Sequence, residues 1–125
     1  MTTSELPGSV IVHRIGGADV GNLSLKSAET TLIPPGISVL IGGDSAGVAA
    51  AMRRVFGPKS SIGRLASVVG AASVADVRKA GFDLMADPTK KFPNHGRLIH
   101  PAGESGFSPE NLAALAVVFV NHGDL

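Results

Sequence analysis

Val10-Ile11-Val12 is a β-branched run that continues into His13-Arg14 and is closed by Gly16-Gly17; it predicts the first strand. Residues 19–26 carry apolar positions only at Val20, Leu23 and Leu25, a pattern that fits a short edge strand. Pro34-Pro35-Gly36 is a stiff turn, unable to join a helix or a central strand. Ile37-Ser38-Val39-Leu40-Ile41 predicts a buried strand, stopped by Gly42-Gly43. Asp44 is placed to cap the next helix, whose apolar face recurs at Val48, Met52, Val55 and Phe56 before Gly57-Pro58 ends it.

Residues 59–63 are polar and predict a loop. Leu65 to Ala72 reads as another buried strand, and Ser73-Val74-Ala75-Asp76 as a capping box with Asp in the usual Glu position. The short helix that follows ends at Gly81. Phe82 to Met85 predicts a strand closed by Asp87-Pro88, and Arg97 to His100 another. The last helix is the best specified: Ser108 caps it, Pro109 takes its first position, and Phe107 and Leu112 form a hydrophobic staple. Leu112, Leu115, Ala116 and Phe119 make its buried stripe, and residues 121–125 are a polar end. Residues 1–8 are expected to fray.

These elements predict an α+β fold: a single compact domain over residues 1–125, with a small mixed or antiparallel sheet and about three flanking helices. Composition changes the picture mainly by exclusion. There is no cysteine, so disulfides and thiolate metal sites are absent. Net charge is +1, so a broad basic field for nucleic acid is missing and only a local patch remains. Five Phe without Trp or Tyr give few base-stacking surfaces. No apolar run has the ~20 residues of a membrane helix, and no leader of the secretory kind opens the chain; the expectation is a cytoplasmic protein without a membrane partner.

The densest polar chemistry is residues 87–101, which hold His95, His100, Lys90, Lys91 and Arg97 between three prolines. His95, flanked by Asn94, Gly96 and Arg97, is the candidate general acid or base. His95 and His100 are five apart, hence on opposite faces of a strand, and no zinc spacing is present; no metal is expected. Arg14 ends a strand beside two glycines, a position that suits a phosphate or carboxylate ligand, or simply solvent. His13 faces the opposite side of that strand, and spacing leaves open which of the two points to a site. Ser38 is either a satisfied core hydroxyl or part of a ligand floor. Glu104, in a flexible stretch past His100, either orients a ribose or a histidine or is solvated.

Val12-His13-Arg14, Gly36-Ile37-Ser38 and Asn94-His95-Gly96-Arg97-Leu98-Ile99, followed by a helix with Asn111-Leu112 and Leu115, together resemble small bacterial toxins of the ADP-ribosyltransferase-like class. That resemblance implies an NAD pocket in which Arg14 contacts a phosphate and Ser38 sits near the nicotinamide ribose. Arg97 and His100 complete the cofactor side, and His95, Ser38 and Glu104 the catalytic side. The family's late catalytic Glu or Gln has no clear match, and Glu104 is the nearest substitute. A toxin of this kind implies a cognate antitoxin or immunity protein. Two other readings fit the residues. One is a metal-independent ribonuclease using His95, His100, Arg97 and Lys90 or Lys91. The other is a non-enzymatic interaction module whose basic loop docks an acidic partner.

Overall fold

The β-branched first strand becomes the middle of a sheet. β1 (Ile11–Ile15) lies between β2 (Ile37–Ile41) and β3 (Val69–Ser73), and every neighbouring pair in the sheet is antiparallel. β5 (His95–Ile99) extends the sheet beyond β2, and β4 (Asp83–Ala86) lies outside β5. β6 (Val120–His122) closes the other edge against β3, giving the order β4-β5-β2-β1-β3-β6. The structure is a computed structural model and describes residues 6–125. Of the frayed stretch expected at 1–8, residues 1–5 lie outside the described residues. Leu6 packs on the core, and the Gly8 carbonyl accepts from the Ala75 amide.

Helices cover both faces. α4 (Val74–Lys79) and α5 (Pro109–Val117) bury Val77, Leu112 and Leu115 against Val12, Val39, Leu84 and Leu98. α2 (Ser45–Phe56) lies across the other face, where Val48 and Ala49 meet Leu40 and Val69; α3 (Ser61–Leu65) packs on α2. The caps expected from sequence are in place: Asp44 accepts from the Gly47 amide, Ser73 from Asp76 and Ser108 from Asn111. The α+β class and its antiparallel sheet agree with the pattern of apolar positions.

Four local expectations change. Residues 19–24 form turns rather than an edge strand, with Leu23 buried as a plug, and α1 (Ser27–Thr30) follows them. Residues 61–65 are helical because Ser60 caps them through the Gly63 amide, so the strand expected from Leu65 starts only at Val69. On α2 the buried face passes through Ala49, leaving Val55 exposed. The polar end at 121–125 carries edge strand β6, held by backbone pairing that leaves no apolar period.

The β1–β2 ladder is incomplete. Val12 pairs with Ile41 and His13 with Leu40. Continued, that register would set Ile15 opposite Ser38, but three side chains stand there instead. Asn22 Nδ2 donates to the Ile15 carbonyl (3.0 Å), Arg14 Nη1 donates to the Ser38 carbonyl (2.8 Å), and Glu29 Oε2 accepts from the Ser38 amide (3.1 Å). The strands splay, and the backbone groups the splay exposes are satisfied by side chains, as buried polar groups require.

Candidate active site

In antiparallel pairing, directly opposed residues share a face. His13 opposes Leu40, and Leu40 opposes His95, so the two histidines flank Leu40 in one row across three strands. Two strand spacings separate their backbones, about 10 Å. They form the floor of a cavity of about 320 Å³, together with Ser38 and Ile15 from the splayed region. Met52 and Phe56 of α2, Ile62 of α3 and Phe92 supply apolar walls. The cavity thus has the usual make-up of a small-ligand site, mostly apolar with a few convergent polar groups.

The two imidazoles are held differently. His95 Nδ1 lies 2.9 Å from the Asp87 carbonyl and 3.5 Å from Asp87 Oδ2. A carbonyl only accepts, so Nδ1 carries a hydrogen, and Nε2 is the nitrogen left for proton exchange. Asp87 is steadied by Arg97, whose Nε is 3.3 Å from Oδ2 while Nη1 donates to the Pro34 carbonyl at 2.5 Å. His13 is 1% exposed, and its Nδ1 has no hydrogen-bond partner. Burial pushes its pKa below the ordinary 6.5; Asp44 pulls it back up, His122 adds to the lowering, and hydrogen bonding of the ring to the Gly42 and Leu40 backbone again raises it.

That shift has a stability consequence. The unfolded chain takes up a proton on His13 more readily than the folded chain. His13 therefore costs no stability above pH 6.5, and stability is lost as pH falls from 6.5 through the folded value. Urea unfolding at about pH 7.5 and about pH 5.5 is expected to show this loss in the wild type, with a weaker pH dependence in His13→Gln. Parallel curves for the two proteins would overturn the assignment.

The basic loop is a tight turn. The Phe92 amide donates to Thr89 Oγ1 and the Thr89 amide to the Phe92 carbonyl, each at 3.0 Å. The turn carries Phe92 into the cavity wall, where it stacks on Phe56 with centroids 6.0 Å apart. Lys91 Nζ sits 5.0 Å from the Phe56 ring, a cation at the wall's outer side.

Among the residues singled out in the sequence, Arg14, Ser38 and His95 line this one cavity. The Arg14 guanidinium, however, is engaged: Nε and Nη2 donate to the Asn22 carbonyl at 3.0 and 2.8 Å, and Nη1 to Ser38. Arg97 is buried in its contacts to Asp87 and Pro34 rather than lining the cavity. His100 lies elsewhere: its Nδ1 accepts from the Ala102 amide, its ring meets Phe82 edge-on at 4.9 Å, and Gly106 packs on it too closely for a side chain. Glu104 belongs to a 3-10 turn (Gly103–Gly106) beside a different cavity, with Val20 and Phe107.

Asp87 and Phe92 fall within the polar stretch 87–101 and Phe56 on the apolar face of α2, but spacing gives none of the three a place in the site; the β4–β5 pairing and the Thr89 turn bring them to His95. Among the described residues no group of three or more His, Cys, Asp or Glu is arranged to hold a metal ion, and no helix is long and apolar enough to cross a membrane. Compared with known protein families, curated proteins and solved structures, the chain matches none.

Proposed function

We propose that this chain is a small acid–base enzyme that cleaves phosphodiester bonds of RNA, with His13 and His95 as its proton-transfer pair. The observation that carries this reading is the shared row of His13 and His95 across Leu40 on the floor of one cavity. Cleavage by the neighbouring 2′-hydroxyl needs a base on the attacking oxygen and an acid on the leaving 5′-oxygen, on opposite sides of one phosphorus. Buried His13, held neutral, suits the base. Protonated His95, oriented by Asp87, suits the acid. His13 takes the 2′-hydroxyl proton as the 2′-oxygen bonds to phosphorus, the bond from phosphorus to the 5′-oxygen breaks, and that oxygen leaves with the proton from His95, giving a 2′,3′-cyclic phosphate and a 5′-hydroxyl. The Phe56–Phe92 wall offers an aromatic face to a base, and Lys91 offers charge to the backbone. A ribonuclease of this kind acts as a toxin in a cell without an inhibitor, and an antitoxin or immunity protein is its expected partner.

A second reading, transfer chemistry on NAD, is favoured by Arg14 and Ser38 lining the same cavity. It is weaker because a pyrophosphate needs a free cation and the Arg14 guanidinium already serves two carbonyls, while Glu104 sits at another cavity. Purified chain incubated in parallel with RNA oligonucleotides and with NAD separates the readings. Cyclic-phosphate ends with NAD unconsumed are expected. NAD consumption with intact RNA would reverse the order, and neither, with folded protein, would overturn both and favour an interaction module.

A further inference from the structure

The net charge of +1 conceals an uneven distribution. Residues 45–75 include Arg53, Arg54, Lys59 and Arg64 and no acid, and residues 88–103 include Lys90, Lys91 and Arg97 and no acid. Both segments build the wall of the His13–His95 cavity, the first through Met52, Phe56 and Ile62 and the second through Phe92. We propose that the rim of this cavity binds an unpaired nucleic-acid strand rather than a duplex, with Lys59, Arg64, Lys90 and Lys91 on its phosphates and one base against Phe56 and Phe92. The proposal rests on the RNA-cleaving reading of this cavity and names the form of RNA it takes.

Helix ends account for only some of these cations. Arg53, Arg54 and Arg64 lie in the last turns of α2 and α3, where the helix dipole favours positive charge. Arg53 is further occupied, donating through Nη2 to the Leu125 carbonyl. Lys59, Lys90 and Lys91 stand in loops, outside any helix. All three are exposed, as is Arg64, and among the described residues none of the four forms an ion pair. Phe56 ties the two segments together: Lys91 Nζ lies 5.0 Å from its ring, and the turn bearing Lys59 follows directly on the helix that Phe56 ends.

Unpaired cations around a cleft concentrate anionic ligands there. This cleft also offers two half-buried aromatic rings. A cationic groove beside aromatic faces is the make-up of single-strand binding, in which phosphates track the cations and bases stack on the rings. An acidic protein surface would answer the charge and leave the rings unused. A duplex is disfavoured by the way the cavity is built: the histidines are its floor, and α2, α3 and Phe92 wall it. A base can reach Phe92, and its phosphate the histidines, only after leaving the stack. The carboxylate nearest the basic loop in sequence, Asp87, is turned to His95 and Arg97 and leaves the rim cationic.

The probe is a fluorescent 2′-O-methyl oligouridine of about twelve nucleotides, long enough for one groove and unable to be cleaved because it has no free 2′-hydroxyl. Anisotropy with the full chain is expected to show saturable binding of the single strand, and binding about tenfold or more weaker for its duplex with 2′-O-methyl oligoadenosine. Contacts to about three or four phosphates predict a slope of about −2 to −3 for log K against log salt concentration. Lys59→Gln and Lys91→Gln, both at exposed positions, should each weaken binding and make that slope shallower by about 0.7. Phe92→Leu should weaken binding by about fivefold or more. Lys79→Gln, an equal charge change at an exposed position on α4, should leave it unchanged. Equal affinity for the duplex, a tighter complex with a poly-glutamate peptide, or an equal loss in Lys79→Gln would overturn the proposal. Intact RNA alongside the expected binding would remove the cleavage reading and leave the strand-binding surface in place. RNA cleavage whose kcat/KM is untouched by Lys59→Gln and Lys91→Gln would do the reverse.

Discussion

Arg14→Met is expected to cost about 3–5 kcal/mol of stability, the range for removing one partner from a buried, hydrogen-bonded charge arrangement. The Asn22 and Ser38 carbonyls lose their donors, and buried Glu29 keeps its charge without the guanidinium nearby. Set against the ~5–15 kcal/mol that holds a typical domain together, this leaves a marginal protein. Arg14→Lys should recover little, because one ammonium lacks the planar fork that reaches Asn22 and Ser38 together. Combining Arg14→Met with Glu29→Gln should cost less than the two single changes added, since the second removes the charge that the first strands. Urea denaturation reads all four. A loss under about 1 kcal/mol for Arg14→Met would show that the guanidinium is dispensable to the splay and restore it as a ligand group.

His95→Gln is expected to lower kcat for RNA cleavage by about 10²–10⁴, the usual worth of one positioned proton donor, with KM little changed. Glutamine keeps a donor for the Asp87 carbonyl but titrates nowhere near neutral pH. His100→Gln is the control: its ring sits against Phe82 and Gly106, away from the cavity, and its activity should match the wild type. Wild-type rates in His95→Gln would sink the acid–base assignment.

The parts legible in the sequence are those set by local chemistry. β1 and β2 show as β-branched runs, and Asp44, Ser73 and Ser108 announce helices because caps act within one turn. Leu23 gave a misleading strand signal because its burial comes from distant packing on the sheet. Val120 gave none because β6 is held by backbone pairing at an exposed edge. Candidate site residues divide the same way. His95 and Ser38 stood out as polar groups in apolar or rigid settings, and both line the cavity. The position of His13 beside them depends on the β1–β2 and β2–β5 registers, which spacing along the chain does not encode. Glu29 accepts locally from the Lys26 amide, but its part in the splay, accepting from the Ser38 amide, lies across a proline turn that spacing does not bridge.

The splay between β1 and β2 also bears on engineering. The floor of the His13–His95 cavity exists because the sheet is left unfinished at Ile15 and Ser38, with Asn22, Arg14 and Glu29 standing in for the missing ladder. Substitutions chosen for heat resistance favour regular strand pairing and apolar replacements for buried charge. At these three positions such choices would zip the strands together and close the floor beneath the histidines. A thermostabilised variant should therefore be sought on the α4–α5 face, leaving this irregular corner untouched.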